Sequence, residues 1–149
     1  MIFVRLISQI QIKHFLWRAC REIVPTNYRM AARKVGSNDK CGFCRECECS
    51  GHILWDCKVV VEVWREMDLD LPVLTQPTRD FVYVVWVVKE RKKDIDWVLF
   101  AITTWHIWNN RNKFKHEGIC KESRRMAREV REYGMEIQGA QLSCPRSTA

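Results

Sequence analysis

A chain of 149 residues with 47% hydrophobic content and seven tryptophans is long enough to bury one core, which excludes a disordered tail. Five of the eight cysteines crowd into residues 41–57 beside a histidine, a distribution that argues against a secreted disulfide scaffold. The formal charge of +7 is uneven: residues 1–40 hold eight Lys/Arg against two Asp/Glu, residues 41–100 eight against eleven, and residues 101–149 nine against five. That excess suits phosphate binding, and it equally suits a protein with solvated Lys and Arg faces.

Met1 to Ile12 is apolar in patches, but Arg5 and Gln9 interrupt it and no small-residue cleavage site follows, so it does not read as a signal peptide. No uncharged run approaches membrane-spanning length. A reducing intracellular location, nuclear or cytoplasmic, is expected.

From Ile10 to Glu22, Ile12, Phe15, Leu16, Ala19 and Ile23 recur at steps of three and four, which predicts an amphipathic helix ended by Pro25. Thr26 or Asn27 can cap a second short helix through about Lys34. Arg18, Arg21, Arg29, Arg33 and Lys34 decorate this pair, and Gly36 to Lys40 leads by a turn into CGFCRECECSGHILWDC, residues 41–57.

That segment contains the chemistry. Cys41 and Cys44 form C-x2-C, and His52 and Cys57 supply H-x4-C, which together make a Cys3His set for one structural zinc ion. Four protein ligands leave no open coordination position, so no catalysis at the metal is expected. Cys44 and Cys47 are also C-x2-C, and with His52 and Cys57 they give C-x2-C-x4-H-x4-C, the spacing of a small retroviral-type knuckle. The two sets differ only in Cys41 or Cys47. Cys41 is preferred, because Gly42 and Phe43 then form the turn and Arg45 to Ser50 becomes a solvated excursion. Cys20, Cys49, Cys120 and Cys144 lack partners at ligand spacing and read as small apolar residues or incidental thiols.

Past Gly51, the residues Ile53, Leu54, Val59, Val60, Val63, Trp64 and Met67 predict a buried helical stripe. On one continuous α-helix His52 and Cys57 would point about 140° apart, so one of them must sit at or beyond the helix start. Ser50 is the expected cap. Leu71 to Thr78, with Pro72 and Pro77, reads as a linker. In FVYVVWVVKERKKD, residues 81–94, the valines lean toward strand while length and the charged tail lean toward helix, and helix is the reading taken. Asp94 to Phe114 predicts a helix with Ile95, Val98, Leu99, Ile102, Trp105 and Trp108 on one face and Gly118 as its stop. The tryptophans around His106 read as core filling rather than a functional cluster, and Asn109, Asn110 and Asn112 as a frayed end or a buried polar network. Ser123 to Gln138 carries one narrow stripe, Met126, Val130, Tyr133 and Ile137, that docks on the chain or pairs with a protein partner. Residues from Gly139 onward read as disordered.

The fold class expected is therefore mainly α: a small helical domain built around a Cys3His zinc knuckle, with C-terminal helices. The expected division is a zinc-binding domain at 10–70, a linker at 71–77, a helical region at 78–138 and a tail at 139–149.

The residues IKHFLWRAC (Ile12 to Cys20), Val24-Pro25-Thr26, CGFC, HILWDC (His52 to Cys57) and Val63-Trp64 resemble the zinc-binding domain that follows the reverse transcriptase in plant non-LTR retrotransposon polyproteins. WHIWNNRN (Trp105 to Asn112) and Phe114 resemble the segment after it. The resemblance spans most of residues 10–118 and maps the family's ligands onto Cys41, Cys44, His52 and Cys57. Cys47 and Cys49 depart from its pattern. It implies a detached, non-catalytic fragment, without the polymerase, endonuclease or ribonuclease H motifs of a complete element. With the basic faces of the first two helices, the expected partner is RNA or single-stranded DNA, with Arg18, Arg21, Arg29, Arg33, Lys34 and Lys40 as a phosphate-facing surface and Phe43 offered for base stacking. No membrane and no small-molecule substrate are expected. The alternative is a structural zinc domain for protein–protein contact, carried on Ser123 to Gln138.

Overall fold

The computed structural model describes residues 2–36 and 38–143, and among them the regular structure is helical. Helix α1 (Ile2–Cys20) turns Ile12, Phe15 and Ala19 into the core. It stops before Pro25, because Ile23 N–H returns to the Arg18 carbonyl and Glu22 takes a left-handed φ of 58°. Ile23, expected on the buried stripe, lies past this reversal and is exposed, and Val24 is buried instead.

Helix α2 (Asn27–Ala32) starts at Thr26, whose hydroxyl accepts from Arg29 N–H at 3.2 Å. After the loop of residues 38–49, a π-turn at His52–Asp56 leads into α3 (Lys58–Met67), which ends in a left-handed Asp68. Ile53, Leu54, Val60, Val63, Trp64 and Met67 are buried, so the expected stripe exists but is split by a break at Cys57.

The valine-rich segment is helical, as α4 (Phe81–Arg91), with Phe81, Val84, Val87 and Val88 buried. Helix α5 (Trp97–Glu117) is capped by Asp96, which accepts from Leu99 N–H, and stops at Gly118 with φ 72°. Its environment differs from the expected single face. Phe100, Ile102, Thr103, Thr104, Ile107, Trp108, Asn110 and Arg111 are buried around the helix, whereas Val98 is exposed. A helix enclosed on several sides shows no clean apolar stripe in sequence. Thr103 and Thr104 tolerate burial by donating to the Leu99 and Ala101 carbonyls of the preceding turn, at 2.6 and 2.8 Å.

Helix α6 (Ser123–Ser143) packs on α3 and α5 through Met126, Ala127, Val130 and Ile137. Arg131 secures it by donating to the Glu66 and Met67 carbonyls at the end of α3, at 2.7 and 2.9 Å. The stripe considered for a protein partner is therefore spent inside this chain. The helix also runs through Ser143, into the stretch expected to be disordered, and residues 144–149 lie outside the described residues.

One apolar cluster joins Phe15 and Ala19 of α1, Cys41 and Cys57, Ile53 and Leu54, Phe81 of α4, and Phe100 and Trp108 of α5. Among the described residues no helix is long and apolar enough to cross a membrane.

Candidate metal centre

The first half of the centre is a tight turn. Arg45 N–H donates to the Cys41 carbonyl at 2.9 Å, Cys41 N–H to the Glu46 carbonyl at 2.6 Å, and Arg45 takes a left-handed φ of 67°. Cys41 and Cys44 thus leave the same turn toward the same side.

The second half solves the five-residue spacing of His52 and Cys57. Cys57 N–H donates to the His52 carbonyl at 2.8 Å, an i to i+5 bond that winds the chain more loosely than an α-helix. Cys57, with φ −58° and ψ 135°, lies outside α3 as its cap residue. Both ligands come from the wide turn and its exit, which lets them share a side. Ser50 does not cap this turn: its hydroxyl donates to Glu22 Oε1 at 2.5 Å and accepts from Phe81 N–H at 2.9 Å, bridging the turn after α1 to the start of α4.

The donor atoms of Cys41, Cys44, His52 and Cys57 all lie within 4.8 Å of one another. Cys41 Sγ and Cys44 Sγ each stand 3.9 Å from Cys57 Sγ. A tetrahedral zinc with Zn–S of about 2.3 Å sets sulfurs roughly 3.8 Å apart, whereas a disulfide needs about 2.05 Å. The donor set and its spacing fit zinc. Cys44 Sγ to His52 Nε2 is shorter, 3.1 Å, as a thiol–imidazole hydrogen bond makes it. Cys47 does not converge on this group; its thiol faces Asp39 Oδ2 at 4.0 Å.

Electrostatics mark two of these residues, Cys41 and Cys57. Without a cation, the contact with Cys57, together with burial, pushes the Cys41 thiol up to about 12, and that contact holds the Cys57 thiol below its ordinary value. Packed thiols can share a proton but cannot all ionise together. A divalent cation removes that conflict.

The loop between the ligand pairs is not the solvated excursion expected from its polarity. Glu48 is 1% exposed. Its carboxylate receives Arg111 Nε at 3.2 Å and Nη2 at 2.5 Å, and Asn27 N–H at 2.7 Å. Arg111 stacks over the Trp108 ring at 4.6 Å and donates to Asn27 and Asn112, while Asn110 accepts from Lys121 N–H at 2.9 Å. Asn110 and Asn112 thus join buried or half-buried polar contacts, whereas Asn109 is exposed. Sequence reasoning missed Glu48 and set Arg111 aside with the tryptophans around His106, and only the oddity of asparagines in a helix hinted at the buried pair.

A second brace comes from residues 78–81. Thr78 donates through N–H and hydroxyl to Asp56 Oδ2, at 2.5 and 2.9 Å, and Gly51 N–H reaches the Arg79 carbonyl at 3.0 Å.

The residues proposed for nucleic acid are spread around this centre. Arg18, Arg21, Arg33, Lys34 and Lys40 are exposed. Lys40 lies 3.7 Å from Asp39, and Arg29 is half-buried, its guanidinium donating to the Glu22 carbonyl. Phe43 is already engaged, its ring 4.7 Å from that of Phe114.

Residues 1–64 match the family model described as zinc-binding in reverse transcriptase, a span that includes all four converging ligands. No curated protein and no solved structure matches the chain.

Proposed function

From the membership of residues 1–64 in the family of zinc-binding domains of reverse transcriptases, we infer a non-catalytic module that assists RNA or single-stranded DNA binding. In this reading it derives from a retrotransposon polyprotein of the plant non-LTR kind. Zinc is structural here: four protein donors fill its coordination sphere, and the ion fastens the Cys41 turn to the root of α3.

The observation that carries the nucleic-acid reading is the set of exposed cations near the end of α1 and just past α2. Arg18, Arg33 and Lys34 are exposed there, with no carboxylate at ion-pair distance among the described residues. Surface cations that neutralise phosphates release the counterions condensed on the nucleic acid.

The test is affinity for a single-stranded oligonucleotide across a salt series. Affinity must fall steeply with salt, and the triple variant Arg18→Gln, Arg33→Gln, Lys34→Gln must flatten the log–log slope by about 2, at roughly 0.7 per phosphate contact. A slope near zero in the wild-type chain would exclude the reading. In the protein-contact alternative, a partner would meet the outer face of α6, since its apolar stripe is buried within the chain.

A further inference from the structure

Helix α1 has a second face that the core does not use. At about 100° per residue, Ile10, Lys13, His14 and Arg21 fall within roughly 60° of Trp17, on the side opposite the buried Ile12, Phe15 and Ala19. Trp17 is 54% exposed, and the Arg21 guanidinium lies over its ring at 5.1 Å from the centroid. An indole is the largest apolar side chain available, and leaving one in water forgoes a large burial gain unless something else covers it.

The surrounding charges identify the occupant. No Asp or Glu occurs in α1, whereas Lys13, Arg18 and Arg21 stand exposed at or near its outer face. Glu22, the first carboxylate after the helix, faces Ser50 at 2.5 Å instead. A flat π-surface amid cations, on a helix without carboxylates, matches a nucleobase and its flanking phosphates. An acidic protein segment would satisfy the charges but has no group that requires the flat ring.

We propose that Trp17 is the stacking platform for an unpaired base of single-stranded nucleic acid, with Lys13, Arg18 and Arg21 holding the adjoining phosphates. The proposal rests on the nucleic-acid reading above and supplies a contact point for it besides Phe43, whose ring packs against that of Phe114. Arg21 serves twice: it lies over the indole and projects its remaining N–H donors toward the backbone of the strand.

The zinc-loaded chain is titrated into a short labelled oligouridine and into the same backbone lacking bases. Trp17→Ala weakens oligouridine binding about five- to a hundred-fold, the range of one lost base–aromatic stack. Trp17→Phe retains most of the affinity, and neither variant changes binding to the abasic backbone. Because Trp17 is exposed, zinc content and melting temperature stay at wild-type values, which separates a lost contact from a lost fold. Arg21→Gln weakens binding to both oligomers and lowers the salt slope. If wild-type binding is salt-sensitive but Trp17→Ala binds oligouridine equally well, the platform is overturned and the nucleic-acid reading stands. If the wild-type chain binds neither oligomer at low salt, both fall together.

Discussion

Arg111 and Glu48, separated by 63 positions in sequence, meet inside the protein with guanidinium nitrogens 3.2 and 2.5 Å from the two carboxylate oxygens. Their side chains are 6% and 1% exposed. The pair anchors the loop between the two halves of the metal centre to the middle of α5. Metal and helix packing are therefore one structural problem.

Removing one member leaves the other charged and buried. Glu48→Ala or Arg111→Ala is expected to cost about 3–5 kcal/mol in urea unfolding. Arg111→Lys restores little, since an ammonium cannot reproduce the two-pronged contact. The double variant Glu48→Leu, Arg111→Met is expected to be less destabilised than either single variant. A double variant whose loss equals the sum of the singles would contradict this coupling.

Gly51 has no room for a side chain. A Cβ there would sit 2.2 Å from the Thr78 carbonyl oxygen, which is backbone and fixed by the bonds of Thr78 to Asp56. Gly51→Ala must push residues 78–81 away from the π-turn. The expected loss is about 1–3 kcal/mol or somewhat more, with weaker zinc retention because His52 is the next residue. Equal melting temperatures for variant and wild type would refute the close approach.

His106 gives a pH signature away from the metal. Its Nε2 and the Tyr133 hydroxyl are both buried without a hydrogen-bond partner among the described residues, the rings 6.2 Å apart, with Lys121 and Glu129 as the charged neighbours. Burial first, then the Lys121 ammonium, holds His106 down to about 4, against an ordinary 6.5, with Glu129 opposing. The unfolded chain therefore takes up this proton first as pH falls. Stability from the neutral imidazole is complete above the ordinary value and is lost on the way down to the folded one, by up to about 3 kcal/mol. Zinc ligands also bind protons in acid, so the comparison is with His106→Phe. Between about pH 7 and pH 5 the wild type should lose more stability than the variant. Parallel losses would contradict the assignment.

Chelation should be felt beyond the loop. Cys41 and Cys57 belong to the same apolar cluster as Phe15, Phe81, Phe100 and Trp108. Stripping the metal is therefore expected to speed amide exchange in α4 and α5 as well as in residues 41–57. Faster exchange confined to residues 41–57 would show that the centre is a local ornament.

The metal centre was legible because its ligands are local: two pairs at short spacing announce themselves without tertiary information. The wide turn at His52 was legible only as a conflict, since five residues on an α-helix could not bring His52 and Cys57 together. Glu48 was not legible, because a charged residue in a polar loop looks solvated until its partner arrives from α5. Ser50 misled for a related reason. Its position suggested a cap, yet Glu22 and Phe81 N–H, both remote in sequence, claim its hydroxyl. Helix α5 showed an apparent face because Thr103, Thr104 and Arg111 are polar by composition but buried by context. The stripe of α6 was read correctly as a docking face, and only its occupant required the fold.

Zinc stoichiometry of the purified chain, beside its Cys41→Ser and Cys47→Ser variants, tests the arrangement of the centre most directly. One zinc per wild-type chain is expected from the four converging donors, lost or much weakened in Cys41→Ser and kept in Cys47→Ser. Zinc held by Cys41→Ser and released by Cys47→Ser would move the centre to the shorter knuckle and contradict the fold described for residues 41–57.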